Sequence, residues 1–358
     1  MTLLLAGRWT YQVYEEACAA ALEALGVRVI PFAWASYFQS PIGRIEARYI
    51  LPGPNTQRLN RDLVAAVRTI RPDVVLVWRG TNVLPATLPQ LRVARDTVLA
   101  CYNNDDPFSF QYRFSSLHHR RIWRYFADAV PAYDMHFAYR THNVAEFKAA
   151  GARSVALLRS YYVPELHRPV ELNDEDRNKY ACDIVFIGHY TPERHKYLSA
   201  LISAGFDVKL FGSPETWTRA RLGRLADYFG GLHNVYGAEY AKALCGARMC
   251  LCAFSRMNRD TYTRRIFEIT ACGRALLSER TEEMLTLFRE DEEAIYFSDT
   301  DDLVEKAARA LAETVRLDQI AAAGYKRCLG DGHSVSARMK YLLSCLDACR
   351  EHSPAGRC

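Results

Sequence analysis

The chain is written twice in one grammar: a short apolar run, a loop, then a segment with helical spacing. In the first part, Thr2–Ala6, Val27–Phe32, Val74–Val77, Thr97–Tyr102, Met135–Ala138 and Ser154–Leu158 read as strands. Helical segments separate them at Tyr11–Leu25, Thr56–Ile70, near Leu84–Ala94, Ser115–Ala129 and Thr141–Ala150. Strands that are apolar throughout must be buried on both faces, which a parallel sheet covered by helices provides. Residues 35–54 break the rhythm and read as an irregular insertion near the working edge of this domain.

The grammar restarts after the polar stretch Pro169–Tyr180, read as a linker. Strands are expected at Ile184–Ile187, Val208–Phe211, His233–Tyr236, Arg248–Phe254, Ala275–Leu277 and Ala294–Phe297. Helices are expected from about Glu193 to Ala204, at Glu239–Cys245 and Thr263–Ala271, and then at Asp302–Glu313, Leu317–Leu329 and Ser334–Arg350. The expected fold class is therefore α/β with two Rossmann-like domains. A length of 358 residues suits two such units. The expected division is 1–170, 171–335 and a C-terminal helix and tail at 336–358.

Ligands of such sheets bind at the carboxyl ends of the strands. Gly7-Arg8-Trp9, Arg79-Gly80-Thr81 and Asn103-Asn104-Asp105-Asp106-Pro107 should share one rim, and Gly188-His189-Tyr190 should open the second. Neither AGRWTYQ nor IGHYTPE carries GxGxxG, and GxxxxGK[ST] is absent, which excludes the familiar dinucleotide and P-loop signatures. A single glycine after a strand instead lets a diphosphate approach the backbone at a helix start.

Phe254–Glu279, FSRMNRDTYTRRIFEITACGRALLSE, carries the densest chemistry. Arg264 and Arg265 fall in the expected first helical turn, where positive charge opposes the helix dipole unless an anion compensates. Arginine forks beside a helix start suit a diphosphate. Glu268 lies one turn after Arg265, on nearly the same face of the helix.

Asp260 and Glu268 are separated by seven residues. This resembles the acidic pair of nucleotide-sugar glycosyltransferases with two Rossmann-like domains facing across a cleft, the GT-B architecture. RDTYTRRIFEITACG as a whole is similar to the CgeB-like, spore-maturation-protein type of that group. The resemblance is most specific in Asn258–Gly273, fair in Phe186–Gly212 and thinner in the first domain, where NNDDP carries it. It implies that Glu268 binds the donor ribose, that Gly188 and His189 form a phosphate loop with Arg194, and that Tyr236 and Gly237 lie beside the base. Asp260 stands where the wider group has glutamate. The donor implied is a nucleotide-diphosphate sugar, a UDP-sugar as first expectation, with no further cofactor and no metal.

Asp105 and Asp106 admit three readings: a turn before proline, a metal clamp, or a carboxylate that deprotonates an acceptor hydroxyl. His118, His119, His136 and His142 lack metal-ligand spacing. Asp106, Asp105 and Asp260 are thus the catalytic candidates.

Residues 1–170 hold 20 Lys and Arg against 13 Asp and Glu, whereas the remainder holds 26 against 28. A basic first domain suits an anionic acceptor or peripheral contact with a membrane bearing lipid-linked sugars. The arginines are dispersed and no DNA-binding motif stands out, which argues against a nucleic-acid partner. No run approaches the roughly 18 apolar residues of a membrane span, and MTLLLAG is too short for a signal peptide. Eleven scattered cysteines without a CxxC pair read as reduced core thiols, and the expected location is cytoplasmic. Two functional classes remain: a metal-independent glycosyltransferase acting on a glycan, lipid-linked sugar or small-molecule acceptor, and a non-catalytic sugar-nucleotide or glycan-binding protein on the same fold.

Overall fold

A computed structural model describes residues 1–94, 97–109 and 117–351, with only the backbone described for 117–120. The chain divides into two compact units. Unit 1 is Met1–Ser160, Met257–Arg259 and the segment from Val335 onward, and unit 2 is Tyr161–Arg256 with Asp260–Ser334. The division thus falls ten residues before the expected position 170, and the last helix belongs with the first unit.

Unit 1 is built on β1 (Thr2–Gly7), β2 (Arg28–Ala33), β3 (Val74–Trp78), β4 (Val98–Asn103), β5 (Met135–Ala138) and β6 (Val155–Leu157). They form one parallel sheet in the order β2-β1-β3-β4-β5-β6. Strands β3 and β4 are buried along their whole length, as continuous apolar runs require. The helices are α1 (Ala17–Ala24), α2 (Pro41–Tyr49), α3 (Pro54–Ile70), α4 (Leu117–Ala129) and α5 (Thr141–Ala149). The core gathers Leu59, Leu63 and Val67 from α3 against Leu4, Val75, Val77 and Leu99 of the sheet, with Trp123 and Phe126 from α4.

Unit 2 begins with α6 (Asp174–Tyr180) and continues through β7 (Cys182–Ile187), α7 (Pro192–Ser203), β8 (Val208–Phe211), the short α8 (Arg219–Leu222) and α9 (Leu225–Phe229), and α10 (Gly237–Gly246). Then follow β9 (Ala247–Cys252), α11 (Arg265–Ala271), β10 (Ala275–Glu279), α12 (Glu282–Leu287), β11 (Ile295–Phe297), α13 (Thr300–Ala312) and α14 (Thr314–Gly330). The sheet is parallel, ordered β11-β10-β9-β7-β8. Helix α15 (Val335–Glu351) returns to unit 1, where it packs on α1 and β4.

In both sheets the first strand lies between the second and the third, so each has a switch point where successive connections leave to opposite sides. The two-domain Rossmann-like reading holds. Several local expectations do not. The segment 35–54 is not irregular: it forms a 3-10 turn at Ala35–Phe38 and then α2, started by Ser40, whose Oγ accepts from Gly43 N at 3.0 Å, and by Pro41 in the first turn. The linker expected at 169–180 ends in α6, capped by Asn173. No strand forms at 233–236; Tyr236 there precedes α10. The helix expected near Leu84–Ala94 is a 3-10 segment, Pro85–Leu91, because Pro89 removes a donor inside it. The ten cysteines among the described residues form no disulfide, and eight of them are buried.

Gly324 lets α14 approach the backbone of unit 2 closely: a Cβ there would lie 2.4 Å from the Glu293 carbonyl oxygen. Since this neighbour is backbone, it cannot swing aside. Gly324→Ala is expected to destabilise by about 1–3 kcal/mol, read as an earlier urea midpoint with an unchanged slope.

Candidate functional site

At the switch point of unit 2, β7 ends at Ile187 and β9 at Cys252. Arg194, in the first turn of α7, reaches across both. Its Nη1 donates to the His189 carbonyl at 3.1 Å and its Nη2 to the Ala253 carbonyl at 2.9 Å. Only 7% of it is exposed, and its Nε has no hydrogen-bond partner among the described residues. Burial, reinforced by the charge of Arg265, pulls its pKa down to about 10, against the smaller upward pull of Asp260. The sequence fixes this placement locally: Thr191 caps α7 by accepting from Arg194 N at 3.3 Å, and Pro192 fills the first helical position.

Gly188 and His189 line the same place. The Gly188 carbonyl accepts from Trp217 Nε1 at 2.7 Å. A Cβ on Gly188 would sit 2.9 Å from the Phe186 ring and 3.6 Å from Arg265 Nη2. Burial lowers the His189 pKa, and Arg265 and Arg194 lower it further, so the imidazole is neutral near pH 7. The side chain of Arg265 is half-buried, and no hydrogen bond or ion pair involves it among the described residues. The loop thus gathers two guanidiniums with no carboxylate bonded to either.

Arg264 behaves differently from its neighbour. It precedes α11, whose helix begins only at Arg265, and its Nε lies against Glu268 Oε1 as an i,i+4 ion pair. The expectation that both arginines oppose the helix start is therefore corrected, because Glu268 neutralises Arg264 from within.

Glu268 is fully buried. Its Oε2 accepts from Tyr240 Oη at 2.6 Å, while His167 Nε2 lies 3.5 Å from Oε1. Val163 N donates to His167 Nδ1 at 2.9 Å, so Nε2 carries the hydrogen that faces Glu268. Burial would raise the Glu268 pKa, but Arg264, His167, Tyr240 and Arg265 together hold it at about 2. The contact with Arg264 is close yet badly aligned for hydrogen bonding, so Oε1 keeps an unused acceptor site. Tyr236 and Gly237 stand at the start of α10: Tyr236 is 62% exposed, and Gly237 takes a φ of +53°. Tyr236 is therefore not a core aromatic.

Asp260 closes its own loop, with Oδ2 accepting from Ser255 N at 3.1 Å and its N–H donating to the Ser255 carbonyl. Glu279, which the sequence reading passed over, anchors the other side. Its Oε1 accepts from Tyr197 Oη at 2.8 Å and Arg256 Nη2 at 2.9 Å, and its Oε2 from Phe254 N. A lone acid ending an apolar strand, ALLSE, was the available signal. Tyr240 and His167 gave none, because their partner lies far away in sequence.

In unit 1, Asp105 and Asp106 follow β4 and diverge. Asp106 is fully buried; it accepts from Phe108 N at 3.0 Å, Asn143 Nδ2 at 3.0 Å and Arg259 Nη2 at 2.8 Å. Burial opposes ionisation, but His142 and Arg259 hold its carboxyl well below the usual range. Such a saturated carboxylate is a poor proton acceptor, which argues against the expected role of Asp106 as a base. Asp105 stays partly exposed, with Oδ2 3.0 Å from Arg79 Nε. Asp106, His142 and Glu146 could together approach one cation. The guanidinium of Arg259 already bridges the two carboxylates, with 2.8 Å contacts to both Glu146 oxygens, and offsets one of their two negative charges.

Residues 194–344 match a family model described as glycosyl transferase-like. No curated protein matches the sequence significantly. Among solved structures, Alr3699/HepE from Anabaena, in complex with UDP and glucose, is similar at a TM-score of 0.68 and 11% identity over 97% of this chain and 100% of that one. A sucrose-phosphate synthase from Thermosynechococcus elongatus matches at 0.68 and 14% identity, over 97% and 99%. An alpha,alpha-trehalose 6-phosphate synthase from Burkholderia multivorans matches at 0.66 and 11%, over 100% and 98%.

The ionised state of Glu268 has a measurable consequence. A carboxyl lowered from 4.5 to about 2 by folding contributes stability that is fully present above about pH 4.5 and is lost as pH falls through about 2. Glu268→Gln is expected to cost on the order of 3 kcal/mol at pH 7, and urea melts should show the difference narrowing below pH 4.5. The chain thus carries the two-domain α/β fold of the GT-B glycosyltransferases, with a glycosyl transferase-like sequence across most of its second unit.

Proposed function

We propose that this protein transfers a sugar from a nucleotide-diphosphate sugar to an acceptor hydroxyl, with the donor held in unit 2 by arginines rather than by a metal. One observation carries the reading: Arg194 and Arg265 converge on the Gly188–His189 turn with no bonded carboxylate, at the place where such sheets bind ligands. A diphosphate supplies the missing negative charge, and the chain needs no other anion there. The neighbours that bind UDP and glucose have this fold, which supports a UDP-sugar as donor.

In this reading the diphosphate lies against Arg265, Arg194 and the Gly188 turn, and the exposed ring of Tyr236 with Gly237 borders the base. Glu268 accepts from the ribose through Oε1, which requires the ribose to part the cover formed by Arg264 and Tyr240. The positive groups would stabilise the charge that gathers on the departing nucleotide diphosphate, the dominant electrostatic contribution in reactions of this kind. Asp260 fixes the loop beside them. Asp105, the solvent-reachable member of its pair, is the acceptor-side carboxylate. The CgeB-like affinity of the central stretch and a cytoplasmic location belong to this proposal as well.

Arg265→Ala tests it directly. Calorimetry should show UDP affinity falling about tenfold to a hundredfold, the range of a charge-assisted bond, while uridine affinity holds. Arg265→Lys should recover only part, because a point charge cannot make a fork. Folding stability should not fall. An unchanged ratio of UDP to uridine affinity would overturn the assignment.

Donor hydrolysis should also persist in EDTA, since arginines do the neutralising. Activity that vanishes in EDTA and returns with Mg²⁺ or Mn²⁺ would defeat the metal-independent mechanism.

A further inference from the structure

Helix α2 is inside out. Gly43 and Glu46 face inward, while Ile42 and Ile45 are 63% and 52% exposed and Tyr49 is 37% exposed. Positions 42, 45 and 49 fall within about 60° of one another around a helix, so the three form one apolar ridge. No other described helix exposes two large apolar side chains within a turn of each other. Arg44 and Arg48, both exposed, run along one side of the ridge, and Glu46 and Gly43 turn inward on the other. Helix α4 packs beside α2 and exposes Arg121 and Arg124.

The acids have been turned away from this face. Glu46, the one acid on α2, is buried and caps α3: its Oε2 accepts from Thr56 N at 2.8 Å and its Oε1 from Asn55 Nδ2 at 2.8 Å. Asp62 of α3 is engaged by Tyr37 and Arg58. Asp128, at the far end of α4, is the exposed exception. The helix is also formed before anything binds, with Ser40 and Pro41 starting it and Ile50 closing it in the left-handed region at φ 48°.

We propose that α2, with the arginines of α4, docks unit 1 on the surface of an anionic lipid bilayer. An apolar ridge flanked by cations matches acyl chains bordered by acidic headgroups. No helix here is long and apolar enough to cross a membrane, so the contact is with the surface. A second copy of the chain is a poorer occupant, because a two-fold contact centred on α2 would set Arg44 and Arg48 against their own copies. This proposal does not depend on the donor site.

The test is co-sedimentation of the intact protein with vesicles of phosphatidylcholine alone or mixed with phosphatidylglycerol, at low and high salt. Binding is expected to the mixed vesicles only and to weaken with salt. Ile42→Ser with Ile45→Ser, and separately Arg44→Glu with Arg48→Glu, should each lower binding at least about tenfold, as loss of buried apolar area or of cationic charge predicts. Because these side chains are exposed, circular dichroism and melting should be unchanged. Equal binding to both kinds of vesicle, no binding, or indifference to both double substitutions would overturn the proposal. So would a dimer in sedimentation velocity that Ile42→Ser with Ile45→Ser dissociates, which would make the ridge a self-interface.

Discussion

Taking a guanidinium out of water costs several kcal/mol unless hydrogen bonds and opposite charge replace the solvent. Arg194 has the hydrogen bonds, donated to two carbonyls just past the ends of neighbouring strands, but no carboxylate bonded to it, Asp260 acting only from a distance. The sheet order of unit 2 makes this possible, since only at the switch point do the ends of β7 and β9 stand side by side with their helices departing in opposite directions. The arginine thus fastens the Gly188–His189 turn to the end of β9, and it leaves a positive field where the strand ends open. The same side chain therefore both ties the packing together and keeps its charge at the strand ends.

The adjacent arginines of RDTYTRR divide the work. Arg264 is spent inside the protein, holding Glu268 ionised together with Tyr240 and His167. Arg265, one residue on and about 100° around the helix, turns toward Gly188. Held by its neighbours, the buried Glu268 carboxylate stays ionised in the folded protein, against the pull of its burial.

Most strand positions and the parallel architecture were legible because continuous apolar runs leave few alternatives, whereas the strand expected at 233–236, HNVY, is no such run and does not form. The helix over 265–271 was legible too, from spacing. What escaped depended on long-range contact. Tyr240 and His167 meet Glu268 only because α10 and the segment after β6 are brought alongside α11. Glu279 looked like a strand's polar end until the loop 254–256 folded onto it. Asp106 looked available in the string NNDDP, yet Arg259 closes over it from 153 positions away. Helix α2 was missed for a different reason: its apolar residues point outward, so a search for an inward-facing stripe reads its pattern as an irregular insertion. Its Ser-Pro start was there to be read.

The last long helix returns to the unit built by the first 160 residues. Met339, Leu342 and Leu346 of α15 are fully buried, against α1 and β4. During synthesis, the unit that leaves the ribosome first must therefore wait for the one made last, with part of its apolar surface open while all of unit 2 is translated. At about 5–20 residues per second, the 174 residues between Tyr161 and Ser334 amount to roughly ten to thirty-five seconds of exposure. Unit 2, continuous apart from three residues, can close on its own during that interval. The order of completion is thus the reverse of the order of emergence, and loss of the C-terminal segment would be felt at the opposite end of the sequence.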